Sequence, residues 1–276
     1  MREIASTFSR LRARNEGALI AYVTAGDPDP ACTPRIVEAL VEGEADIIEL
    51  GIPFSDPIAD GPTIQAATLR ALKAGTTPKK VLQIVEEVRD GSDVPIVILT
   101  YYNPIFRMGL KNFFESAEAS GVNGVIVPDL PVEEAYDYKK IAEAHGIDTI
   151  FLAAPSTSTE RLRKILEYAS GFLYLVSIFG VTGARDRVQD LTIRLIKETL
   201  KITRGRISLA VGFGISKPEH VKTIIQNGAD AAIIGSRFVR IIEEKRNRTE
   251  EMLKDLREYS WLLKKSTVKS TRTSLE

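Results

Sequence analysis

The glutamate at position 49 stands where a carboxyl group could do chemistry. Glu49 interrupts the apolar run of residues 46–50 close to its carboxyl end. A carboxyl group held in such a run loses contact with water, which raises its pKa and lets it act as a general acid and base near neutral pH. The alternative is an ordinary ion pair between Glu49 and a neighbouring Lys or Arg, and a lone glutamate leaves both interpretations open.

A second carboxylate lies eleven positions further on, at Asp60. The surrounding residues 53–62 contain three prolines, which stiffen the loop, so that it can fold back toward Glu49 with little entropy to lose. Asp56 lies in the same loop, and both aspartates occur in sequences that also form ordinary turns. Spacing alone therefore leaves open which of the two faces a substrate.

Glycines follow the last three apolar runs of the chain. They are Gly180 and Gly183, Gly212 and Gly214, and Gly235, which is followed by Ser236 at the opening of a helical stretch. Glycine lets backbone N–H groups approach an anion closely, and a helix N-terminus adds a favourable dipole. One glycine pair is more often turn geometry, but three consecutive strand ends of this kind predict a phosphate site.

Large apolar and aromatic side chains gather near the same strand ends: Tyr22, Leu99, Tyr101, Tyr102, Phe106, Tyr174 and Phe213. Such a set can sandwich a flat apolar ligand, although most buried aromatic residues belong simply to the core. Two carboxylates, a phosphate site and an apolar slot together predict acid–base chemistry on a compound that resembles a sugar phosphate with a hydrophobic part.

Eight short apolar runs must position these side chains, at residues 18–23, 46–50, 95–100, 124–127, 148–152, 172–177, 207–211 and 231–234. Apolar residues follow one another in these runs, which is typical of strands buried on both faces of a parallel sheet. Between them lie stretches of helical periodicity, at residues 35–41, 82–88, 113–119, 133–144, 159–168, 192–200 and 219–226. Four of these end in a glycine followed closely by Asp or Asn, which suits a left-handed helix cap.

Eight strand–helix units in 276 residues give about 34 residues per unit, the size expected of a (β/α)8 barrel, or TIM barrel. No linker of different composition divides the chain, so we predict one barrel domain over residues 1–263, with an additional N-terminal surface helix. Residues 264–276 are polar and free of aromatic residues, and they are predicted to form a frayed tail. An open doubly wound sheet is the alternative, because periodicity does not show closure.

Composition argues against several classes of protein. The 37 Lys and Arg residues balance the 37 Asp and Glu residues, which leaves no basic field for nucleic acid or an anionic membrane. The longest stretch without a charged residue, at 168–184, is too short and too rich in glycine for a membrane helix. With one cysteine, Cys32, and two histidines, neither an intrachain disulfide nor a Cys/His zinc site is expected. A cytoplasmic protein without a metal fits these counts.

Longer motifs carry a specific resemblance. Residues 48–65 resemble the signature of the tryptophan synthase alpha chain family, and the resemblance covers roughly residues 1–262. It continues through motifs at residues 101–104, 127–131, 180–183, 212–215 and 235–236. This resemblance implies a (β/α)8 barrel that acts as a lyase in tryptophan biosynthesis. The implied reaction is the retro-aldol cleavage of indole-3-glycerol phosphate into indole and glyceraldehyde 3-phosphate.

The resemblance also implies roles for individual residues. Glu49 matches the acid/base carboxylate, which protonates indole C3 and takes the proton of the glycerol hydroxyl. Asp60 matches the carboxylate that interacts with the indole N–H as positive charge develops on the ring. The phosphate is expected at Gly183, Gly212, Gly214, Gly235 and Ser236. The indole and glycerol parts are expected against Tyr22, Ile64, Leu99, Tyr101, Tyr174 and Thr182, with Phe213 beside them.

Members of the family pair with a beta chain, so the resemblance implies a partner. That chain carries pyridoxal phosphate (PLP) and joins the released indole to serine, in an expected tetramer of two alpha and two beta chains. No cofactor is expected in this chain. Pro53 and Asp56 match the loop directed toward the partner, and residues 180–188 match a lid over the substrate. Where some members have an arginine after the strand-six serine, Ile178 and Phe179 stand here, so one lid contact is expected to be absent.

Two other functions stay open from the residues alone. A different phosphate-binding barrel enzyme, such as a sugar-phosphate isomerase, would share the fold and the glycines. A regulatory subunit that acts mainly by activating its partner would share the partner surface, although the pair of carboxylates argues against it. A nucleic acid partner is not expected.

Overall fold

The computed structural model describes residues 3–177 and 190–269, and the strands within them form one parallel sheet. The strands are β1 (Ala18–Thr24), β2 (Ile47–Gly51), β3 (Ile96–Leu99), β4 (Gly124–Ile126), β5 (Asp148–Ile150), β6 (Leu152–Ala153), β7 (Phe172–Val176), β8 (Ser208–Gly212) and β9 (Ala231–Ile234). Their order is β5-β4-β3-β2-β1-β9-β8-β7-β6. Every predicted strand is confirmed to within one residue at each end, because burial on both faces produces continuous apolar runs.

The sheet closes through the segment that contains β5 and β6. These are two pieces of the predicted fifth strand, separated by Phe151 alone. On one side β5 pairs with β4, and on the other β6 pairs with β7. Phe151 O also accepts a hydrogen bond from Tyr174 N, at 3.0 Å. Both ends of the strand order therefore meet in one segment, and the fold is a (β/α)8 barrel and not an open sheet.

The α-helices of the described residues cover the outside of the barrel and its amino-terminal end. They are α1 (Glu3–Ala13), α2 (Thr33–Glu42), α3 (Pro62–Lys73), α4 (Pro78–Arg89), α5 (Tyr102–Met108), α6 (Leu110–Ala119), α7 (Tyr136–Ala144), α8 (Thr159–Tyr168), α9 (Asp190–Thr203), α10 (Pro218–Gln226), α11 (Ser236–Lys245) and α12 (Thr249–Lys265). Each predicted helical stretch lies within one of them except 133–144, which begins in a short 3-10 turn (Val132–Glu134) and enters α7 only at Tyr136. No helix in the two described ranges is both long and apolar enough to cross a membrane.

The joint between α2 and β2 differs from the predicted glycine cap. At the three other joints the glycine adopts the expected positive φ, but here Glu44 adopts it, with φ 65°. Gly43 itself has φ −82°. A Cβ at Gly43 would lie 2.4 Å from the backbone oxygen of Arg257 in α12, so this glycine serves the close packing of two helices and not a turn.

Helix α1 closes the amino-terminal end of the barrel. Its side chains Ile4, Phe8 and Leu11 are buried among the residues that fill the barrel interior. The Phe8 ring meets Phe172 of β7 edge-on, with centroids 6.2 Å apart. The predicted surface helix is thus exposed on one face only. Because apolar packing seals this end, a cavity within the barrel opens at the carboxyl ends of the strands.

The prediction of a frayed tail from residue 264 onward is wrong for residues 264–269. The Lys264 side chain is 8% exposed, and its Nζ donates to Gly17 O at 3.1 Å and lies 2.9 Å from Asp46 Oδ2. Thr267 is buried, and its carbonyl oxygen accepts from Gly17 N at 2.8 Å. A buried ammonium group is stable here because a carboxylate and a carbonyl oxygen satisfy it. Residues 270–276 lie outside the described ranges.

Substitution of Leu11 tests the seal at this end of the barrel. Leu11 is 2% exposed, so Leu11→Ala is expected to lower the free energy of unfolding by about 2–5 kcal/mol, because the truncation leaves a cavity. The matched control is Leu262→Ala in α12, where the side chain is 43% exposed and the loss should stay below about 1 kcal/mol. Urea denaturation followed by circular dichroism measures both. Equal losses would show that α1 does not contribute to the core.

Candidate active site

A cavity of ≈ 210 Å³ opens at the carboxyl ends of the strands. Ten residues singled out in the sequence line it: Tyr22, Glu49, Asp60, Ile64, Leu99, Tyr174, Phe213, Gly214, Gly235 and Ser236. Larger hollows at the opposite end of the barrel, of ≈ 680 and ≈ 780 Å³, are lined by other residues. Gly61, Ile215 and Ile233 also line the cavity. Sequence reasoning missed these three, because their types do not distinguish them from turn and core residues.

Glu49 lies on β2 inside the barrel. In the strand register it stands beside Tyr22 on β1 and Val97 on β3, and the residue is 1% exposed. Its Oε2 atom is buried and has no hydrogen-bond partner among the described residues. The ion pair that the sequence left open as an alternative has no counterpart in this part of the structure. Burial, and secondly the negative charge of Asp60, raises the pKa of Glu49 to about 8.

Asp60 faces the same cavity from the loop after β2. The loop is anchored at this point, because Asp60 N donates to Pro57 O at 3.1 Å and Gln65 Nε2 donates to Asp60 O at 2.8 Å. Burial raises the pKa of the Asp60 carboxyl group to about 6, while a hydrogen bond with the Tyr101 side chain acts in the opposite direction. The two carboxyl groups of the cavity therefore differ in pKa by about 2 units.

Asp56 lies outside the cavity. Its side chain is exposed and accepts a hydrogen bond from Ser55 Oγ at 2.6 Å, as in an ordinary turn. Pro53 is buried within the same loop and does not line the cavity either. Of the two aspartates that the sequence could not separate, Asp60 is the one directed at the cavity.

Tyr101 anchors the loop that carries Asp60. The residue is 2% exposed, its ring packs against Phe54 with centroids 5.4 Å apart, and its hydroxyl accepts a hydrogen bond from Ala59 N at 2.9 Å. It is not one of the lining residues of the cavity. Tyr102 and Phe106, from the same aromatic set, lie on α5 away from the lining, and Phe106 is 69% exposed.

The segment after β8 brings backbone groups to the wall of the cavity. Phe213 and Gly214 both have positive φ, at 65° and 75°, and both line the cavity, where the absence of a side chain at Gly214 lets the backbone approach an anion closely. Ser177 Oγ lies within hydrogen-bond distance of two carbonyl oxygens here, that of Gly212 at 2.7 Å and that of Phe213. These contacts anchor the segment to the end of β7. Helix α11 begins at Ser236, which lines the same cavity, and no side chain of Gly235 caps its first turn. The N–H groups of this turn supply a second anion-binding end.

Glycine also makes room for the tyrosine rings of the cavity. A Cβ at Gly212 would lie 2.2 Å from the Tyr174 hydroxyl, and one at Gly51 would lie 2.4 Å from the Tyr22 hydroxyl. Burial raises the pKa of both tyrosines, so their hydroxyl groups stay neutral at pH 7. Gly212 therefore leaves room for the Tyr174 ring directly before the segment of Phe213 and Gly214.

Several predicted positions lie outside the described residues. They are Thr182 and Gly183, the segment 180–188 predicted as a lid, and Ile178 and Phe179. Within residues 3–177 and 190–269, no group of three or more His, Cys, Asp or Glu side chains could hold a metal ion. The described part of the site can bind an anion at one end, hold a flat apolar group at the other, and transfer protons between them.

Comparison with known proteins identifies the family. The family model described as tryptophan synthase alpha chain matches residues 8–268. A tryptophan synthase alpha chain of Methanosarcina barkeri is 51% identical over 258 residues, which cover 92% of this chain and 96% of the relative. A relative from Pyrococcus furiosus is 49% identical over 239 residues, covering 87% of this chain and 95% of the relative.

Solved structures agree with the sequence relatives. A chain in the crystal structure of a tryptophan synthase complex from Pyrococcus furiosus superposes with a TM-score of 0.82 at 46% identity, covering 89% of this chain and 98% of the other. A tryptophan synthase alpha chain from Legionella pneumophila gives a TM-score of 0.88 at 32% identity, covering 97% of each chain. With the barrel, the cavity and the paired carboxyl groups already described, these matches show that the chain belongs to the tryptophan synthase alpha chain family.

Proposed function

We propose that Glu49 and Asp60 carry out the reaction of this family, the cleavage of indole-3-glycerol phosphate into indole and glyceraldehyde 3-phosphate. The observation that carries the proposal is the difference between their pKa values, about 8 and about 6, within one cavity. At pH 7 Glu49 is therefore mostly protonated, whereas Asp60 is mostly ionised. A pair of carboxyl groups in opposite protonation states can supply a proton and a negative charge in the same step.

The first step is protonation of the indole ring. The neutral Glu49 carboxyl group donates its proton to indole C3, and the ring becomes a cation with its positive charge at the C2–N1 unit. Asp60, at the mouth of the cavity, accepts a hydrogen bond from N1–H and stabilises that charge. Ionised Asp60 is suited to this role because no proton has to leave it first.

The second step breaks the carbon–carbon bond. The Glu49 carboxylate formed in the first step takes the proton of the hydroxyl group on the carbon attached to C3. That carbon becomes the aldehyde of glyceraldehyde 3-phosphate, and the electrons of the broken bond restore the neutral indole ring. Glu49 ends the cycle protonated, as it began, so one residue serves as both acid and base.

The two ends of the cavity fit the two ends of the substrate. The phosphate would lie between the segment of residues 212–214 and the N-terminus of α11, where backbone N–H groups and the helix dipole favour an anion. The indole ring would lie against Tyr22, Leu99 and Tyr174. Binding through backbone groups agrees with the balanced charge of the chain, since no basic patch is needed.

We also propose a partner. One solved relative belongs to a tryptophan synthase complex, which supports an association with a beta chain. The proposed form of this association is a tetramer of two alpha and two beta chains. The PLP of the overall synthesis would then reside in the beta chain, since the two steps above use only side chains of this one. The proposed partner surface is the loop after β2, where Asp56 is exposed and Ile58 is 83% exposed. Pro53 is buried and supports this loop from within.

Variants of the two carboxyl groups test the catalytic roles. Glu49→Gln is expected to lower kcat/KM for indole release on the order of 100-fold or more, because the amide cannot donate an acidic proton. Asp60→Asn should cause a comparable loss. The control is Glu134→Gln, on the exposed surface, which should keep wild-type activity. Wild-type kcat/KM in Glu49→Gln would remove its assigned role.

The same assay separates the alternatives. Wild-type protein should release indole from indole-3-glycerol phosphate and leave no isomerised sugar phosphate, which a different barrel enzyme would produce. A purely regulatory subunit would stimulate a beta chain but release no indole.

The pH profile tests the assigned protonation states. We expect kcat/KM to fall below pH of about 6, where Asp60 gains a proton, and above pH of about 8, where Glu49 loses one. Asp60→Asn should abolish the acidic limb. It should also move the alkaline limb to lower pH, because the charge of Asp60 no longer raises the pKa of Glu49. The substrate phosphate also titrates near pH 6, so an acidic limb that persists in Asp60→Asn would assign it to the substrate instead.

Substitution of Asp56 tests the partner surface. With a purified beta chain of Pyrococcus furiosus tryptophan synthase, we expect Asp56→Ala to weaken complex formation in analytical ultracentrifugation. Indole release by the isolated variant should stay at the wild-type rate, because Asp56 lies outside the cavity. Leu262→Ser on α12 is the control and should bind like wild type. If Asp56→Ala and the control bind alike, Asp56 does not contact the partner.

A further inference from the structure

The Arg70 side chain connects three elements around the cavity. Its Nε and Nη2 donate to the two carboxylate oxygens of Asp27, at 2.7 and 2.9 Å, and its Nη1 donates to Glu243 Oε1 at 2.8 Å. The Asp27 side chain is fully buried, and that of Arg70 is 17% exposed. A planar guanidinium with a two-pronged contact fixes orientation as well as distance, which a single charge contact does not.

Each connected element carries a different part of the proposed site. Arg70 lies on α3, which begins directly after Asp60 and Gly61. Glu243 lies on α11, whose first residue is Ser236 at the phosphate end of the cavity. Asp27 lies in the turn after β1, the strand that carries Tyr22. Arg70 therefore connects the elements that carry Asp60, the N-terminus of α11 and the Tyr22 ring.

Packing makes this tie rigid. Ala67, one turn before Arg70 on α3, is fully buried and belongs to a small apolar cluster with Tyr22 and Val239 of α11. Ile64, another turn earlier, packs against that cluster and lines the cavity. A helix transmits a displacement along its axis with little loss, so a shift of α3 at Arg70 would move the beginning of α3 next to Asp60.

From these contacts we propose that Arg70 is a positioning residue, which sets the separation between the phosphate end of the cavity and the Asp60 end. It thereby selects ligands in which a flat apolar ring and a phosphate are joined by a chain of fitting length. The proposal deepens the proposed function of the same cavity and rests on it. Arg70 is not one of the residues that line the cavity, and it acts through α3 and α11.

If Arg70 sets the spacing of the two half-sites, its substitution changes ligand affinities in a way that a general loss of stability does not. When two half-sites are held at the right distance, a linked ligand gains from the second contact without a second loss of translational freedom. If the distance changes, each half-site still binds its own fragment, but the linked ligand can no longer satisfy both. The ratio of linked affinity to fragment affinities therefore reports the spacing alone.

The experiment measures that ratio by isothermal titration calorimetry on the full chain. The probes are indole, glycerol 3-phosphate, and indole-3-propanol phosphate, in which a three-carbon chain joins the ring and the phosphate and no hydroxyl is available for cleavage. The first variant is Arg70→Lys, which keeps the positive charge but loses the two-pronged contact with Asp27. The second is Glu243→Gln, which weakens only the contact to α11. Matched controls are Arg35→Lys and Glu250→Gln, since Arg35 and Glu250 form an exposed pair at 2.7 Å between α2 and α12.

We expect Arg70→Lys to weaken the linked probe at least 10-fold while both fragments stay within about 2-fold of wild type. Glu243→Gln should weaken the linked probe several-fold, and both controls should match wild type. If Arg70→Lys binds the linked probe like wild type, or loses all three probes equally, the proposal is overturned.

Two features keep the outcome decisive. Should Arg70→Lys fail to fold, Glu243→Gln decides, because Glu243 is 42% exposed and its replacement leaves the contact of Arg70 to Asp27 in place. An unchanged linked affinity in Glu243→Gln would then overturn the proposal. Binding of an uncleavable probe needs no turnover, so a wild-type chain that bound it but released no indole from indole-3-glycerol phosphate would refute the proposed function separately.

Discussion

The withdrawal of the Glu49 carboxyl group from water is the constraint on which the rest of the site depends. A carboxyl group with a pKa of about 8 in the folded chain, against about 4.5 in the unfolded one, destabilises the fold as pH rises from about 4.5 to 8. At pH 7 the penalty is about 3 kcal/mol, a large share of the stability of a typical domain. The apolar packing of the barrel interior, together with the α1 side chains that close its amino-terminal end, offsets this penalty. In return Glu49 holds a proton at a pH where an exposed glutamate has lost it.

The Asp60 carboxyl group shows how the surroundings of two similar side chains give them different pKa values and different roles. Asp60 reaches the cavity from a loop and keeps a hydrogen bond with Tyr101, so its pKa is raised less than that of Glu49, which the charge of Asp60 raises further. The difference arises from placement, since a strand interior excludes water more fully than a loop at the mouth. Rigid support is then essential for Asp60, and the contacts of Gln65, Tyr101 and the α3 helix supply it.

Sequence patterns predicted the strands closely because burial on both faces leaves a continuous apolar run, and Glu49 stood out as its interruption. The choice between Asp56 and Asp60 could not be made, because both sequences form turns and only the folded loop shows which one faces inward. The tail at Lys264 was misjudged for a related reason. Its partners Gly17 and Asp46 are more than 200 positions away, and a local polar composition carries no trace of them.

The paired glycines and tyrosines of the cavity constrain how the chain can change over evolution. At Gly51 and at Gly212, the hydroxyl end of a tyrosine fills the space that a Cβ atom would need. Any side chain at either glycine therefore collides with a tyrosine ring. The tyrosine must be replaced by a smaller residue before the glycine can be substituted. Until that second substitution occurs, the smaller residue leaves a void. Each pair is therefore epistatic: single substitutions pass through a less fit intermediate, and a new pocket shape is reached most readily when both members change together.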